Sequence, residues 1–450
     1  MPATDDDTLL PFSLPMPCKK KVTAAFDGGT ISCDGGVLLL AAADKGLGLI
    51  DRMAALFPDE RDPALVSHSM ADLLRERVFA IACGYPDGND LDNLRKDPAF
   101  KMACGRLPES GSDLASQPAI SRLENTPDAR APIRLAHGMV DLWCQSHAAP
   151  PTSVWFDIDD TADTVHGHQQ LSLFDAHRDE RVFMPVHIHD AETGHCVATI
   201  PRPGKTPDGK EVRAHLRRLV RRIRLHWPKT AITIRGDSHY GRREAMEWCE
   251  QNGVEYIFGL APNKILAGRV FPKLEAICVR RAIGQKDKVR GFTGTRYAAK
   301  SWSRERRVIA RLEATKKGAD VRYIVTNIGK GSAKYLYETA YCGRGQAENP
   351  IERHKSQLAS DRTSCRSPLA NRMRLILHTA AYWLMLTIRR IIPREEPLAR
   401  GEFSTIRLRL LKIAVRVRET GSRIELAFAA NCPNRVLFRS LFGMLAPRPT

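Results

Sequence analysis

The sequence predicts an α/β fold with a mostly helical N-terminal region, and three observations support this. From Val66 onward, apolar residues recur at helical spacing in HSMADLLRERVFAIACGY. At Thr152 the pattern changes to the alternation of a strand, in VWFDIDD. Further on, TAITIRGDSHYG, an amphipathic segment and EYIFGLA predict a strand, a helix and a strand in succession. Strands that alternate with helices in this way are typical of a sheet covered by helices.

Composition sets limits on organisation and on partners. A chain of 450 residues is too long for one compact core and should form two to four domains. Sixty-nine Lys and Arg against 51 Asp and Glu give a net charge of +18, which suits a nucleic-acid partner through counterion release. Membrane or ribosomal partners would explain that charge equally well.

Cysteine usage and hydropathy indicate a cellular compartment. The 11 cysteines are scattered singly without a C-x-x-C pair, which favours reduced thiols in a cytosolic protein over a disulfide framework or a zinc knuckle. The acidic N-terminus MPATDDDTLLPF has no features of a signal peptide. The longest apolar stretch, Leu375 to Ile388, is shorter than a membrane span of about 20 residues and predicts a buried helix.

The N-terminal third is predicted to consist of two parts. Residues 1–24 are expected to be disordered, and residues 25–150 to form a mostly helical DNA-binding region. Within that region, glycine pairs in AAFDGGTISCDGGVLLLAA suggest a short hairpin. SQPAISRLEN is the best candidate for a turn and recognition helix, although an ordinary helical domain is an equally good interpretation.

Residues 151–263 are predicted to form the first part of a catalytic core. In VWFDIDD, Trp155, Asp157 and Asp159 face one side of the strand, and the apolar residues between them face the other. Carboxylates on a strand face are costly without a cation, so they indicate a metal site or a very exposed edge. RVFMPVHIHDAE and GHCVATIPRPG continue a meander, and a helix follows from Glu211 to Trp227.

The strand that ends at Asp237 completes this pattern. It is followed by a helix from Arg242 to Asn252 and by the strand EYIFGLA. Strand, acidic residue, helix and strand in this order resemble the ribonuclease-H-like fold, in which catalytic carboxylates gather at strand ends. Ser238 and His239 follow the aspartate, but neighbours on a strand point apart and no G-x-S-x-G elbow surrounds them, which argues against acyl transfer.

Composition divides the second half of the chain into three predicted segments. Residues 264–317 are rich in β formers and in basic residues, and predict a β-rich insertion that interrupts the core. VRYIVTNI returns the chain to the core sheet, so that residues 318–395 form its second part. Residues 396–450 form a basic C-terminal region, in which FSTIRLRLLKIAVRVRETGSRIELAFAANCP predicts a hairpin.

The segment YCGRGQAENPIERHK carries the most informative array. Tyr341, Arg344, Glu348 and Lys355 have offsets of 3, 7 and 14, which on a helix of about 100° per residue would place them within an arc of about 60°. Arg and Lys neutralise phosphate oxygens, and Glu can hold Mg²⁺. An exposed helix with charge pairs is the alternative interpretation. Pro350 would either kink the helix or start it there, leaving Glu348 in the preceding turn.

Four motifs in order carry a resemblance to a known family. They are WFDIDDTADTVHGHQQLSLF, IRGDSHYGRREAMEW, VRYIVTNI and the Y-x2-R-x3-E-x6-K box just described. The chain resembles the cut-and-paste DDE transposases of bacterial insertion sequences, in the branch that is recognised by a YREK box. From about Ala24 to about Pro433 it resembles the group 1 DDE-domain transposases of that branch.

The resemblance implies three acidic metal ligands. Asp237 and Glu348 match the second and third acidic residues of the family. The residues alone leave the first open among Asp157, Asp159 and Asp160, and the D-x-T context of the family selects Asp159, with Asp157 one pleat away able to assist. These carboxylates would hold two Mg²⁺ ions, with Mn²⁺ tolerated, about 4 Å apart.

The resemblance also implies roles for the remaining box residues and for partners. Tyr341 and Arg344 would hold phosphate near the scissile bond, and Lys355 would contact the DNA strand. The predicted protein is a transposase that binds terminal inverted repeats, cuts the element ends and joins them to target DNA. It would act as a homodimer on double-stranded DNA, in the cytoplasm at the bacterial nucleoid and without a membrane partner.

Two other functions remain open from the sequence. One is a ribonuclease-H-like structure-specific nuclease that cuts without strand transfer. The other is a DNA-binding remnant whose active site is dead. Binding to terminal repeats separates the transposase from the nuclease, and metal-dependent cleavage separates both from the remnant.

Overall fold

A computed structural model describes residues 24–57, 59–125, 128, 130–167, 169–176, 178–362 and 365–445. For residues 346 and 347 it describes the backbone alone. The predicted disordered segment, residues 1–24, lies outside the described residues except for Ala24.

The described elements are as follows. The α-helices are α1 (Val37–Leu47), α2 (Leu49–Ala54), α3 (Met70–Cys83), α4 (Leu91–Leu94), α5 (Pro98–Ala103), α6 (Gln117–Asn125), α7 (Ala131–Gln145), α8 (Gly209–His226), α9 (Arg243–Gln251), α10 (Lys264–Ile283), α11 (Glu348–Glu352), α12 (Pro368–Ile391), α13 (Phe403–Ile406) and α14 (Arg435–Leu445). The strands are β1 (Ile31–Ser32), β2 (Ser153–Asp160), β3 (Asp163–Thr164), β4 (Leu173–Asp175), β5 (Glu180–Phe183), β6 (Val186–Asp190), β7 (Cys196–Ile200), β8 (Ala231–Gly236), β9 (Val254–Leu260), β10 (Lys288–Tyr297), β11 (Arg306–Thr315), β12 (Gly318–Thr326), β13 (Val415–Glu419) and β14 (Ile424–Phe428).

The chain divides into two compact units. One unit contains the residues up to Gly46, Ala64–Ile120 and the residues from Thr387 onward. The other contains Leu47–Pro63 and Ser121–Leu386. Each unit therefore combines segments that are distant in the sequence.

The first unit is built around helix α3. Ser69 and Asp72 form a capping box at its start, and Gly84 adopts a left-handed conformation at its end. Every residue from Glu76 to Cys83 is buried, so the second half of α3 is covered on all sides. A three-stranded sheet of order β1-β13-β14 belongs to the same unit.

The sequence predicted a hairpin within residues 24–42, and that prediction is wrong. Strand β1 pairs with β13, and the apolar run that follows Gly36 forms helix α1. The glycine pair allows close approach instead of a turn, since a Cβ at Gly36 would lie only 1.9 Å from the Leu410 carbonyl oxygen. The hairpin predicted in the C-terminal region is confirmed as the antiparallel pair β13 and β14.

The second unit contains an eight-stranded mixed sheet. Its order is β10-β11-β12-β9-β8-β2-β6-β7, and a separate three-stranded sheet has the order β3-β5-β4. Strand β2 is parallel to β8, and β8 is parallel to β9, whereas the other neighbours in the large sheet are antiparallel. The predicted α/β class is thus confirmed as a mixed α/β fold with a large mixed sheet.

Helices cover this sheet. Val212, Leu216 and Ile223 form a buried stripe on α8, as the sequence predicted, and the cap is Asp208, whose carboxylate accepts from the Glu211 amide at 2.9 Å. The predicted buried helix is α12. It is anchored on β7 by Trp383, whose indole nitrogen donates to the Cys196 carbonyl oxygen at 2.9 Å.

The segment predicted as a β-rich insertion, 264–317, contains one long helix and two long strands. Helix α10 contacts β10 and β11, and both of those strands belong to the eight-stranded sheet. Among the described residues, no helix is long and apolar enough to cross a membrane.

Candidate active site

The ends of two adjacent parallel strands define the site. In the register of β2 and β8, Ile158 is the partner of Gly236, so Asp159 and Asp160 at the end of β2 lie beside Asp237, which follows β8. The carboxyl ends of neighbouring parallel strands open to the same edge of a sheet, where α/β proteins place their ligands. The pairing of β2 with β8 therefore determines where the site lies.

Asp160, Asp237 and His239 form a compact group of donors. One ligand atom from each lies within 4.8 Å of the other two. His239 Nδ1 is 3.1 Å from Asp160 Oδ1 and 3.8 Å from Asp237 Oδ2. The hydrogen bond to Asp160 is the main cause that raises the pKa of His239 above its ordinary value.

The backbone explains why His239 converges on these carboxylates. Strand β8 ends at Gly236, and the chain turns, with the Tyr240 amide donating to the Asp237 carbonyl oxygen at 3.3 Å. The His239 amide donates to Asp237 Oδ1 at 2.8 Å. The sequence argument concerned Ser238 and His239 as neighbours on a continuing strand, whereas the chain turns here and the carboxylate of Asp237 accepts from the amide two residues further on.

Asp159 has one cation, Arg344, and two carboxylates as charged neighbours. Its Oδ2 accepts from Arg344 Nη1 at 2.7 Å. Burial raises the pKa of Asp159 to about 6, Arg344 opposes this, and Asp237 and Asp160 raise it further. Three carboxylates are thus close enough to repel one another.

This donor set fits a divalent metal ion. Asp160 Oδ2 is buried, and no described residue forms a hydrogen bond with it, an arrangement that is costly without a cation. Carboxylate oxygens are the preferred ligands of Mg²⁺, and a divalent ion would remove the repulsion among the three aspartates. Asp159, Asp160 and Asp237 are the residues that could hold it.

Asp157 is engaged in a different way. Its two carboxylate oxygens accept from Arg235 Nε at 2.6 Å and Arg235 Nη2 at 2.8 Å. The same guanidinium donates through Nη1 to the Ala340 carbonyl oxygen at 2.7 Å. Asp157 and Arg235 therefore tie two central strands to the segment that contains the YREK box, and both oxygens of Asp157 take part in this ion pair.

The YREK box lies on an irregular helical segment from Tyr335 to Gln357. It passes from a π-helix into a 3₁₀-helix at Cys342, an α-helix at Glu348 and a second π-helix at Arg353. Helical backbone runs through Pro350, so the alternative in which the helix starts at Pro350 is wrong, and Glu348 opens α11. The changes of helix type alter the angular offsets on which the single-face argument relied.

Three residues of the box contact the strand ends or the connection after β2. Arg344 pairs with Asp159, and its guanidinium carbon lies 5.9 Å from the Tyr341 ring centroid. A Cβ at Gly259 would lie 3.1 Å from the Tyr341 hydroxyl oxygen, so the tyrosine packs on the backbone of β9. Lys355 Nζ is 3.4 Å from Thr161 Oγ1 and also donates to the Ala162 carbonyl oxygen.

Glu348 stands apart from these contacts. It is exposed, and among the described residues its carboxylate has no ion-pair partner. It does not belong to the groups of metal-ligand atoms that the described residues bring within 4.8 Å. Its predicted role as third acidic ligand stays a prediction.

Comparison with known proteins identifies the family. The family model described as Transposase DDE domain group 1 matches residues 15–450. The chain belongs to this family. The predicted class, a DDE-domain transposase, is thereby confirmed, and membership supports DNA as the partner and a divalent metal as the cofactor of the transposase.

Two further comparisons were made for this DDE-domain transposase. No curated protein matches the chain. A cryo-EM structure of the piggyBac transposase synaptic complex with hairpin DNA is similar with a TM-score of 0.44 and 11% sequence identity, over 93% of this chain and 86% of that chain.

Sequence reasoning did not select two residues of the donor group. Asp160 was one of three candidates for the first acidic residue, and the D-x-T context favoured Asp159; His239 was considered only for acyl transfer. The signal for His239 was its position two residues after Asp237, beyond the last apolar residue of the strand. A turn at that point would have predicted the observed contact.

Proposed function

We propose that this protein is the transposase of a bacterial insertion sequence of the YREK-box branch. It binds the terminal inverted repeats of the element, cleaves DNA at the element ends and joins them to target DNA. The observation that carries the proposal is that ligand atoms of Asp160 and Asp237 lie within 4.8 Å of each other at adjacent strand ends, with the carboxylate of Asp159 close enough to interact with both. Arg344, from the YREK box, pairs with one of these carboxylates.

The aspartates hold the divalent metal in this proposal. Asp160 and Asp237 present oxygens that already converge, and Asp159 is the third carboxylate at the same edge. When bound, Mg²⁺ would polarise phosphate oxygens and favour deprotonation of the attacking water or 3′-hydroxyl. His239 holds its two carboxylate neighbours in orientation through its ring and its backbone amide.

The cations of the YREK box bind the DNA in this proposal. Arg344 and Lys355 are close to the carboxylates and to the connection after β2, where they would neutralise the phosphate backbone. Tyr341 lies beside Arg344 and completes the phosphate contact. Glu348 is the third acidic ligand by its family position, and its exposed carboxylate is accessible to a metal bound with DNA.

The domain assignments belong to the same proposal. The meander β2, β6 and β7 with the parallel strands β8 and β9 supports a ribonuclease-H-like core. Residues 264–317 serve as an insertion, and residues 25–150 supply DNA recognition. Two copies of the chain hold two element ends as a dimer, in keeping with a reaction that pairs those ends.

A strand-transfer assay tests the proposal. DNA that carries the repeats flanking the gene is incubated with the protein and Mg²⁺ or Mn²⁺, and the wild type is compared with Asp237→Asn and Glu348→Gln. The control is Asp287→Asn, which changes an exposed aspartate whose side chain is 83% accessible. We expect joining by the wild type and the control, and binding without cleavage by both test variants.

The other outcomes separate the competing functions. Cleavage without joining favours a structure-specific nuclease. Binding without cleavage by the wild type, with either metal, identifies an inactive remnant. Full activity of Glu348→Gln contradicts its assignment as the third acidic ligand.

A further inference from the structure

A second cluster of potential ligands lies in the interior of the second unit. His187 and His189 lie on the same face of β6, and Cys196 on β7 is the register partner of His189. His354 comes from the helical segment of the YREK box. All four residues are buried, with no more than 1% of any side chain accessible.

The donor atoms are close enough to share one ion. One ligand atom each from His187, Cys196 and His354 lies within 4.8 Å of the others. Donors of a tetrahedral zinc ion with bonds of about 2.0–2.3 Å are about 3.3–3.8 Å apart. Small side-chain adjustments would therefore bring the three donors to zinc distance.

Unpartnered nitrogens point to a missing ligand. Among the described residues, nothing forms a hydrogen bond with His187 Nδ1 or with either ring nitrogen of His189. Buried polar atoms almost always have a partner, and leaving one without a partner destabilises the fold. A cation bound to these rings would be the missing partner of their nitrogen atoms.

Both ring nitrogens of His354 have a hydroxyl neighbour. Its Nδ1 is 2.8 Å from Ser360 Oγ, and its Nε2 is 3.0 Å from Thr379 Oγ1. Metal-binding histidines commonly use one ring nitrogen for the ion and the other for a hydrogen bond that fixes the ring. A bound ion would therefore replace one of these two hydroxyls at the ring, and the other would orient it. The cysteine is held by its backbone, since the Cys196 carbonyl oxygen accepts from Trp383 Nε1.

We propose that His187, Cys196 and His354 bind one Zn²⁺ ion, with His189 as the further donor beside them. Two imidazoles and a thiolate suit zinc and are poor ligands for Mg²⁺. The site is thus chemically distinct from the carboxylates at the strand ends. The sequence did not reveal it, because His187, His189 and Cys196 lack the C-x-x-C spacing and His354 lies far along the chain from them.

The proposed zinc has a structural role. It ties the β6 and β7 hairpin to the helical segment that contains Lys355, the residue after His354. His187 is the register partner of Asp159 on β2, so the ion would also fix the strand pair beside the active site. Loss of zinc is therefore expected to destabilise the packing of the YREK segment against β6 and β7.

Zinc content of the intact protein tests the proposal. The chain is produced with zinc supplied, desalted into buffer without chelator and analysed by inductively coupled plasma mass spectrometry. We expect about one zinc per chain, and near none in Cys196→Ala or His354→Ala. The control is Cys249→Ala, which removes another buried thiol of the same unit and should leave the zinc content unchanged.

A spectroscopic measurement keeps the test independent of variant folding. Wild-type protein reloaded with Co²⁺ should show a thiolate-to-cobalt charge-transfer band, which carboxylates cannot produce. Absence of the band, no zinc in the wild type, or full zinc content in folded Cys196→Ala overturns the proposal. Asp237→Asn should retain its zinc. Failure of the transposase assignment would therefore not change the interpretation of the zinc measurement.

Discussion

At the residue scale, His239 connects the carboxylates of two strands. It contacts Asp160 through its ring, and Asp237 through both its ring and its backbone amide. Mg²⁺ prefers oxygen ligands, so the imidazole is better suited to orient the aspartates than to bind the ion directly.

Replacement of His239 by alanine should therefore weaken metal binding without preventing folding. Loss of such an orienting partner typically costs about 10–100-fold in metal affinity. The measurement is the Mg²⁺ concentration for half-maximal DNA cleavage, in the wild type and in His239→Ala. His226→Ala, which removes a histidine that contacts Asp141 on α7, is the control. An unchanged Mg²⁺ requirement in His239→Ala would contradict the orienting role.

The residues show what a sequence can and cannot predict about a site. Asp237 was predicted from its motif, and the structure places it beside Asp159 at a shared strand edge. Alternation predicted the wrong side for Asp160, which is the last residue of β2 and still pairs with Val186, and it does not extend to His239, which lies beyond the end of β8. The positions of side chains in the following turn depend on backbone hydrogen bonds that have no sequence period.

At the scale of elements, the buried ion pair of Arg235 and Asp157 connects β8 and β2 to the YREK segment. Their side chains are only 8% and 3% accessible. Removing one partner of a buried ion pair leaves an uncompensated charge, which usually costs about 3–5 kcal/mol.

Arg235→Ala should lower the free energy of unfolding by about that amount. The matched control is Arg243→Ala, because Arg243 pairs with Glu247 on an exposed helix surface and its side chain is 51% accessible. An exposed pair of this kind contributes about 0.3–0.5 kcal/mol. Urea denaturation of both variants gives the comparison, and equal losses would show that the buried pair has no special structural role.

Elements with one buried face were the easiest to predict. Helix α8 was predicted from its apolar stripe, and the alternation of VWFDIDD predicted β2. The hairpin expected near Gly35 and Gly36 failed because glycine also serves close packing, here against the backbone of Leu410 and Leu411. That contact joins residues several hundred positions apart, which local patterns cannot report.

At the scale of the whole molecule, the set of segments that makes up each compact unit was the least predictable feature. The predicted domains follow the chain in order, whereas each compact unit combines distant segments. Such units are held by long-range contacts, among them the ion pair of Asp34 with Lys412 at 2.7 Å. Composition and periodicity contain no direct information on these pairings.

The first unit also contains a buried acid that should make its stability depend on pH. Glu76 is 1% accessible, its Oε2 accepts from the Ala115 amide at 2.9 Å, and among the described residues its Oε1 has no partner. Burial raises the pKa of Glu76 from its ordinary value of 4.5 to about 8. Between these values the folded state holds more protons than the unfolded state, so stability falls as the pH rises.

Glu76→Gln should remove the part of this dependence that Glu76 causes, because the amide oxygen can still accept from Ala115 and no charge forms at high pH. Urea midpoints measured between pH 5 and 8.5 should decrease for the wild type and decrease less steeply for the variant, in which Asp159 and Asp163 still titrate. Glu60→Gln, at an exposed position, should behave as the wild type does. A parallel decrease in Glu76→Gln would assign the pH dependence to other groups.

The central claim is that carboxylates at the ends of β2 and β8 hold the catalytic metal. The most direct test is a Mn²⁺ titration followed by electron paramagnetic resonance, with wild type, Asp160→Asn, Asp237→Asn and the control Asp287→Asn. We expect Mg²⁺-competable binding in the wild type and control, and at least about 10-fold weaker binding in the two test variants. Equal affinity in all four proteins would contradict the claim and place the metal elsewhere.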